Sequence, residues 1–227
     1  MKLFKKKFDK QRIIKETKEK YEKDTKIDLD QVALVDQELT KNGIKKSLID
    51  MGKQISVPIK AFPILLYSLR NVIADIHVKE KIVRLMTIKI AKDFGAGQVL
   101  IDEFHDTNND YVNYKWAIGN TIEVIIDETI VDDVLKIIKN KENGSSRQMF
   151  VMALGKTKKM ELDETLHKEI EDTLIELLDD EEVVGHALDA LGKLKSKKGI
   201  PKIELCLENK RAYVRKEAKK ALAKIKL

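Results

Sequence analysis

Apolar residues fall at helix-face spacing in Val184, Ala187, Leu188, Leu191 and Leu194, and Gly185 and Gly192 lie among them. Val214, Ala218, Ala221, Leu222 and Ile225 repeat the pattern near the C-terminus. A stripe recurring every three or four positions predicts an amphipathic helix with one buried face. Small residues within the stripe predict a place where another helix comes close, since glycine lets a neighbouring backbone approach.

The motif Ala190-Leu191-Gly192-Lys193 recurs as Ala153-Leu154-Gly155-Lys156, as Ala117-Ile118-Gly119-Asn120 and, with alanine for glycine, as Ala221-Leu222-Ala223-Lys224. Arg84-Leu85-Met86-Thr87 and Asp50-Met51-Gly52-Lys53 extend the series toward the N-terminus. The third positions are 52, 86, 119, 155, 192 and 223, giving steps of 34, 33, 36, 37 and 31 residues. Each step is long enough for one helical hairpin.

First helices are expected over 31–42, from Pro63 through Leu69, and over 99–104, 127–140, 163–180 and 201–209. Their partners are expected over 44–55 and 77–91, from Tyr111 with Asp110 as N-cap, and across the Ala-Leu-Gly motifs. Gly43, Asn143-Gly144 and Gly199 with Pro201 punctuate the pattern. The β-branched run 122–126 is expected to continue helically through Ile130, Val131, Val134 and Leu135. One hairpin cannot bury its apolar face alone, so the pattern predicts an all-α solenoid of about six stacked antiparallel hairpins over 28–227. Residues 1–27 precede it as a basic arm or a capping helix; seven acids between Asp9 and Asp30 dilute the charge of residues 1–30 to +4.

On these residues the chain resembles the HEAT-repeat proteins, the HEAT-like and armadillo-type α-solenoids. Arg215 after Val214 and Arg147 after Ser146 stand where that family's second helix begins with Val-Arg. The resemblance spans roughly 30–227 and strengthens after Asp110. The chain departs from the family with Val184 and Tyr111 at the arginine position, and with Asn209 and Lys141 where the family's turn aspartate is expected. The resemblance implies that the second helices line the concave side and that the fold serves as an interaction scaffold.

Composition sharpens this picture. Aromatic residues make up 5% and charged residues 36%, which suits Leu, Ile and Ala packing beneath long exposed helix faces. The net charge of +6 conceals strong segregation. Residues 193–227 hold thirteen bases and three acids, net +10, whereas residues 161–182 hold one base and eleven acids, net −10. Residues 99–133, with one base and nine acids, are net −8. Such zones either steer a partner or pair with one another between neighbouring repeats. The lone Cys206 reads as a packed small hydrophobe, and no apolar run suggests a membrane span or signal peptide, so a cytoplasmic protein is expected.

Two rows on the second helices form the candidate binding surface. One runs Ile49, Val83, Trp116, Met152, Asp189, Lys220, and its neighbour Lys46, Glu80, Asn113, Met149, His186, Glu217. Asn113, Trp116, Asn120, Met149, Met152 and His186 are the candidate contacts for a protein or peptide, with Trp116, Met149 and Met152 as an apolar patch; the alternative is that these large residues fill the seam between repeats. Arg211, Arg215, Lys216, Lys219 and Lys220 form a candidate basic patch.

No phosphate-binding glycine loop, zinc spacing or nucleophile motif is present. Glu103-Phe104-His105-Asp106 reads as a solvated helix end. In HEAT-built deoxyhypusine hydroxylase, His-Glu dipeptides hold a di-iron site; here the four histidines precede Val78, Asp106, Lys168 and Ala187. The HEAT-fold alkylpurine DNA glycosylases are echoed only by Trp116, Asp110 and the basic last helix. A DNA groove should be basic along its length, which two acidic zones contradict. The sequence therefore predicts a non-catalytic protein-interaction module without cofactor or metal. The alternative is a nucleic-acid binder, possibly glycosylase-like, working through the basic C-terminal repeat.

Overall fold

The computed structural model describes residues 27–54 and 56–226 of the chain. The proposed arm or cap at 1–27 lies, Ile27 apart, outside the described residues. Among those residues there are twelve α-helices and no strand. The helices pair as α1 (Leu29–Lys41) with α2 (Leu48–Gln54), α3 (Ala61–Asn71) with α4 (Ile76–Leu85), and α5 (Ala96–Asp106) with α6 (Val112–Ile125). The remaining pairs are α7 (Val131–Lys139) with α8 (Gln148–Leu154), α9 (Glu164–Glu176) with α10 (Val184–Leu194), and α11 (Ile200–Leu205) with α12 (Ala212–Lys226). The second helices α2, α4, α6, α8, α10 and α12 each pack on the next, while α1 packs on α3 and α3 on α5. The result is an all-α solenoid of six hairpins with one continuous core.

Polar side chains start the helices. Asp28 accepts from the backbone N–H groups of Asp30 and Gln31, Asp75 from those of His77 and Val78, and Asp163 from that of Leu166, satisfying donors the first turn leaves orphaned. Four hairpins turn on the same device. The N–H groups of Asp110, Glu142, Glu182 and Arg211 donate to the side-chain oxygens of Asn108, Asn140, Asp180 and Asn209, each two residues earlier, at 2.9 to 3.0 Å.

Some local expectations change. Asp110 does not cap α6, because Asn108 holds the turn and the N-cap, Tyr111, makes no side-chain capping bond. The β-branched run 122–126 is helical only to Ile125; Asp127 then turns the chain by accepting from Thr129, and α7 begins at Val131. In the fourth hairpin the turn residue is Asn140, not Lys141, since Gly144 at φ +52 lengthens the turn by one residue. Likewise α4 stops at Leu85, and a separate 3-10 turn follows over Lys89–Phe94.

The repeated glycine marks where second helices meet. A Cβ on Gly155 would lie 2.8 Å from the Ala190 Cα, and one on Gly192 3.0 Å from the Ala221 Cα. Gly52 occupies the same repeat position, yet among the described residues nothing lies within 4 Å of the corresponding point. The second helices thus close tightly between the fourth, fifth and sixth hairpins but leave room beside α2.

Buried polar groups lock hairpins together. Arg147 is 1% exposed; its Nε donates to the Gly144 carbonyl, its Nη1 to the Ile138 carbonyl, and its Nη2 to Asp180 and Glu182 at 2.9 and 3.1 Å. One guanidinium so ties its own turn to the turn of the next hairpin. Lys115 does comparable work in the third hairpin, donating to the Thr107 carbonyl and to Asn109 while its ammonium lies over the Phe104 ring. Burial lowers the pKa of that ammonium.

Glu103, 7% exposed, accepts from Lys79 at 2.6 Å and from the Tyr114 hydroxyl at 3.0 Å. The expectation of a solvated helix end therefore holds for His105 and Asp106, which are exposed, and fails for Glu103. Burial and the Glu103 charge push the Tyr114 hydroxyl well above the usual phenol range, so it stays a hydrogen-bond donor.

Candidate functional site

The second helices present one long face, and the sequence rows can be followed along it. Asn113 is exposed; Trp116, Asn120, Met152 and His186 are half-buried. Met149 is 8% exposed, and its Cβ would lie 3.1 Å from a Cβ built on Gly119. Its side chain fills the seam between α6 and α8, so the apolar patch read from the sequence reduces to Trp116 and Met152. A one-residue glycine gap draws the neighbouring methionine inward, and helical spacing alone does not reveal that. Val83, in the same row as Trp116, is fully buried as well.

Beyond this patch a charge ladder crosses four hairpins. Lys156 lies 2.9 Å and Lys193 3.7 Å from Glu123; Lys193 lies 2.9 Å and Lys224 2.7 Å from the two oxygens of Asp189. The sequence reading did not identify this ladder, although its signal is present: Lys156, Lys193 and Lys224 each follow the small residue of the repeat. Burial pushes the Asp189 carboxyl up, yet hydrogen bonds and charge from Lys224 and Lys193 outweigh it and hold the carboxyl below its ordinary value.

At His186 burial lowers the pKa, against the opposing charges of Asp189 and Glu217. The unfolded chain therefore takes up this proton first, and stability should fall as pH drops below about 6.5, the ordinary histidine value. The loss tied to Asp189 falls lower, below about pH 4. Urea titrations from pH 8 to pH 5 should show a decline that His186→Asn removes.

The two rows and the ladder, with Lys53 after Gly52, carry Lys46, Lys53, Lys156, Lys193, Lys220 and Lys224 against Glu80, Glu123, Asp189 and Glu217. Arg84 pairs with Glu80 at 2.7 Å and Lys220 with Glu217 at 2.8 Å. The face is basic overall.

At its N-terminal end lies a cavity of about 860 Å³ between α2 and α4. Ile27, Ile49, Val57, Leu85 and Ile88 supply apolar lining, and Lys53, His77, Glu80, Lys81, Arg84 and Thr87 the polar groups. No local pattern marks it, because it depends on how far apart α2 and α4 stand.

The acidic and basic zones pair in part with one another. Lys198 pairs with Asp172, Lys202 with Asp179 at 2.6 Å, and Lys210 and Arg211 with Glu181 at 3.0 and 3.9 Å. In the basic patch, Arg211 also donates to the Glu181 carbonyl and lies over the Tyr213 ring, while Arg215 donates to the Asn209 and Lys210 carbonyls. Lys216, Lys219 and Lys220 are exposed. Among the described residues, no three His, Cys, Asp or Glu side chains gather as metal ligands, and no helix is long and apolar enough to cross a membrane.

Residues 131–223 match the family model of HEAT repeats, from the first residue of α7 into α12. No curated protein matches the sequence. Among solved structures, an engineered protein from a structural genomics consortium is 21% identical with a TM-score of 0.54, over 87% of this chain and 96% of that one. A designed armadillo repeat protein in complex with the peptide (KR)4 is 16% identical with a TM-score of 0.53, over 86% and 99% of the two chains. A second designed armadillo repeat protein is 15% identical, with a TM-score of 0.52 over the same shares. At these identities the likeness is one of fold.

Proposed function

Since the chain is a HEAT-like repeat protein, a fold typical of interaction scaffolds, we propose that it is a non-catalytic cytoplasmic module that binds a partner protein on its second-helix face. The observation that carries this reading is the half-buried Trp116 beside Met152, on an otherwise charged face and outside the packed core. A tryptophan that is only partly covered can anchor a partner, and such anchors supply much of an interface's energy. Asn113 and Asn120 flank it at helical spacing and His186 stands farther along on α10, and all three offer hydrogen bonds. The solved neighbour with a bound peptide makes an extended segment a reasonable ligand class for the fold.

Nucleic acid is the weaker reading. Two of the five residues in the basic patch, Arg211 and Arg215, donate to backbone carbonyls, and acids of the fifth hairpin partner much of the sixth. A phosphate-binding surface needs cations free to replace counterions along its length.

Trp116→Ala is expected to weaken partner binding at least tenfold, on the order of 1.4 kcal/mol or more, while costing the fold about 1 kcal/mol. The test is capture from the source lysate with wild type and Trp116→Ala in parallel, after nuclease treatment, with thermal melts of both. A defined partner lost only with the variant supports the reading. Recovery of nucleic acid that falls steeply with salt would replace it with the second one.

A further inference from the structure

The slot between α2 and α4 has features that point to a particular kind of ligand. Its apolar lining from Ile49, Val57, Leu85 and Ile88 can receive one or two large aliphatic or aromatic side chains, and its volume of about 860 Å³ lies within the range of small-ligand and side-chain pockets. Gly52 leaves one side of it open: where Gly155 and Gly192 are pressed against the next helix, nothing among the described residues lies within 4 Å of a Cβ at Gly52. The polar rim carries Lys53, Lys81 and Arg84 against the single acid Glu80. Arg84 holds Glu80 through Nε at 2.8 Å and Nη2 at 2.7 Å, so the rim offers the charges of Lys53 and Lys81 to an incoming group.

Resting on the reading of the second-helix face as a protein-binding surface, we propose that this slot takes a large apolar side chain from an acidic segment of the partner. Charge decides between the candidate occupants. The peptide (KR)4 of the designed neighbour has the wrong sign for this rim. Residues 1–26 of the chain itself, with eleven bases and five acids, have the wrong sign too. A segment with carboxylates on both sides of a leucine or phenylalanine places its apolar group against Ile49 and Leu85 and its acids beside Lys53 and Lys81. Farther along the face Lys156, Lys193 and Lys224 are held by Glu123 and Asp189, so the attraction for an acidic segment is concentrated at this rim.

The full chain can be panned against a random-peptide library, with two variants in parallel. Gly52→Leu fills the slot from a position with free space, and Lys53→Glu with Lys81→Glu reverses the rim; thermal melts confirm that both fold. The expected result is enrichment of acidic peptides with one large apolar residue, whose affinity drops at least about tenfold in each variant. Basic or neutral consensus peptides, or acidic ones that bind Gly52→Leu as tightly as wild type, would overturn the slot while leaving the Trp116 face to its own test. No enrichment would overturn it likewise. Duplex DNA is assayed alongside: if it binds wild type more tightly than any selected peptide and is lost on rim reversal, the cations serve phosphate and the inference fails.

Discussion

Arg147→Ala should cost the fold about 3–5 kcal/mol, the range for removing one partner of a buried ion pair. The arginine is 1% exposed, and its loss strands the carbonyls of Ile138 and Gly144 as well as the Asp180 carboxylate. Arg147→Lys should recover only part of the loss, because an ammonium cannot spread donors over the two carbonyls and two carboxylates that the guanidinium reaches. Urea denaturation followed by far-UV circular dichroism measures both. Because Arg147 joins the fourth hairpin to the turn of the fifth, the Ala variant should also unfold in two steps as the halves of the array uncouple. A single transition at the wild-type midpoint would contradict the role assigned to Arg147.

Substitutions at the repeat glycine should change sign along the chain. Gly155→Val drives a branched side chain into the Ala190 backbone, already 2.8 Å from a bare Cβ, and should cost about 3 kcal/mol through forced separation of α8 from α10. Gly52→Ala has no neighbour to displace among the described residues and should add about 0.5–1 kcal/mol, the helix-propensity gain of alanine over glycine. Measured side by side, the two variants test whether tight contact is a property of the motif or of the individual interface. Combined with Arg147→Ala, Gly155→Val should cost less than the sum of the two, since both damage the boundary between the fourth and fifth hairpins.

These contrasts show what the sequence could and could not carry. Hairpin number and order were legible because five of the six second helices repeat a small residue in a fixed apolar frame, with Met86 as the exception, and Gly155 and Gly192 are contact points as that frame requires. Gly52 holds the same repeat position, with Asp50 and Met51 before it, and meets no neighbour among the described residues: the distance between α2 and α4 is set by the packing of whole hairpins, and the slot has no local signature. Met149 and Val83 share rows with half-buried residues, yet both are buried; Met149 packs against the side-chain gap at Gly119, a contact between helices that spacing within one helix does not reveal. The turns were legible in kind but not in place; Gly144 at positive φ lengthens one of them and moves the turn residue from Lys141 to Asn140. Glu103 looked like an end-of-helix acid because its partners, Lys79 and Tyr114, lie 24 and 11 residues away on other helices.

The row of second helices, each packed on the one before, also bears on how the chain is made. The principal helix contacts join partners within a hairpin or members of adjacent hairpins, so a helix rarely waits for a distant stretch of sequence before it can bury its stripe. Such local wiring favours rapid folding. On the ribosome the earlier hairpins can pack while the later ones are still being synthesised, and each emerging pair finds its template already in place. The array would then grow by accretion from its N-terminal end, leaving little apolar surface waiting in the open at any moment.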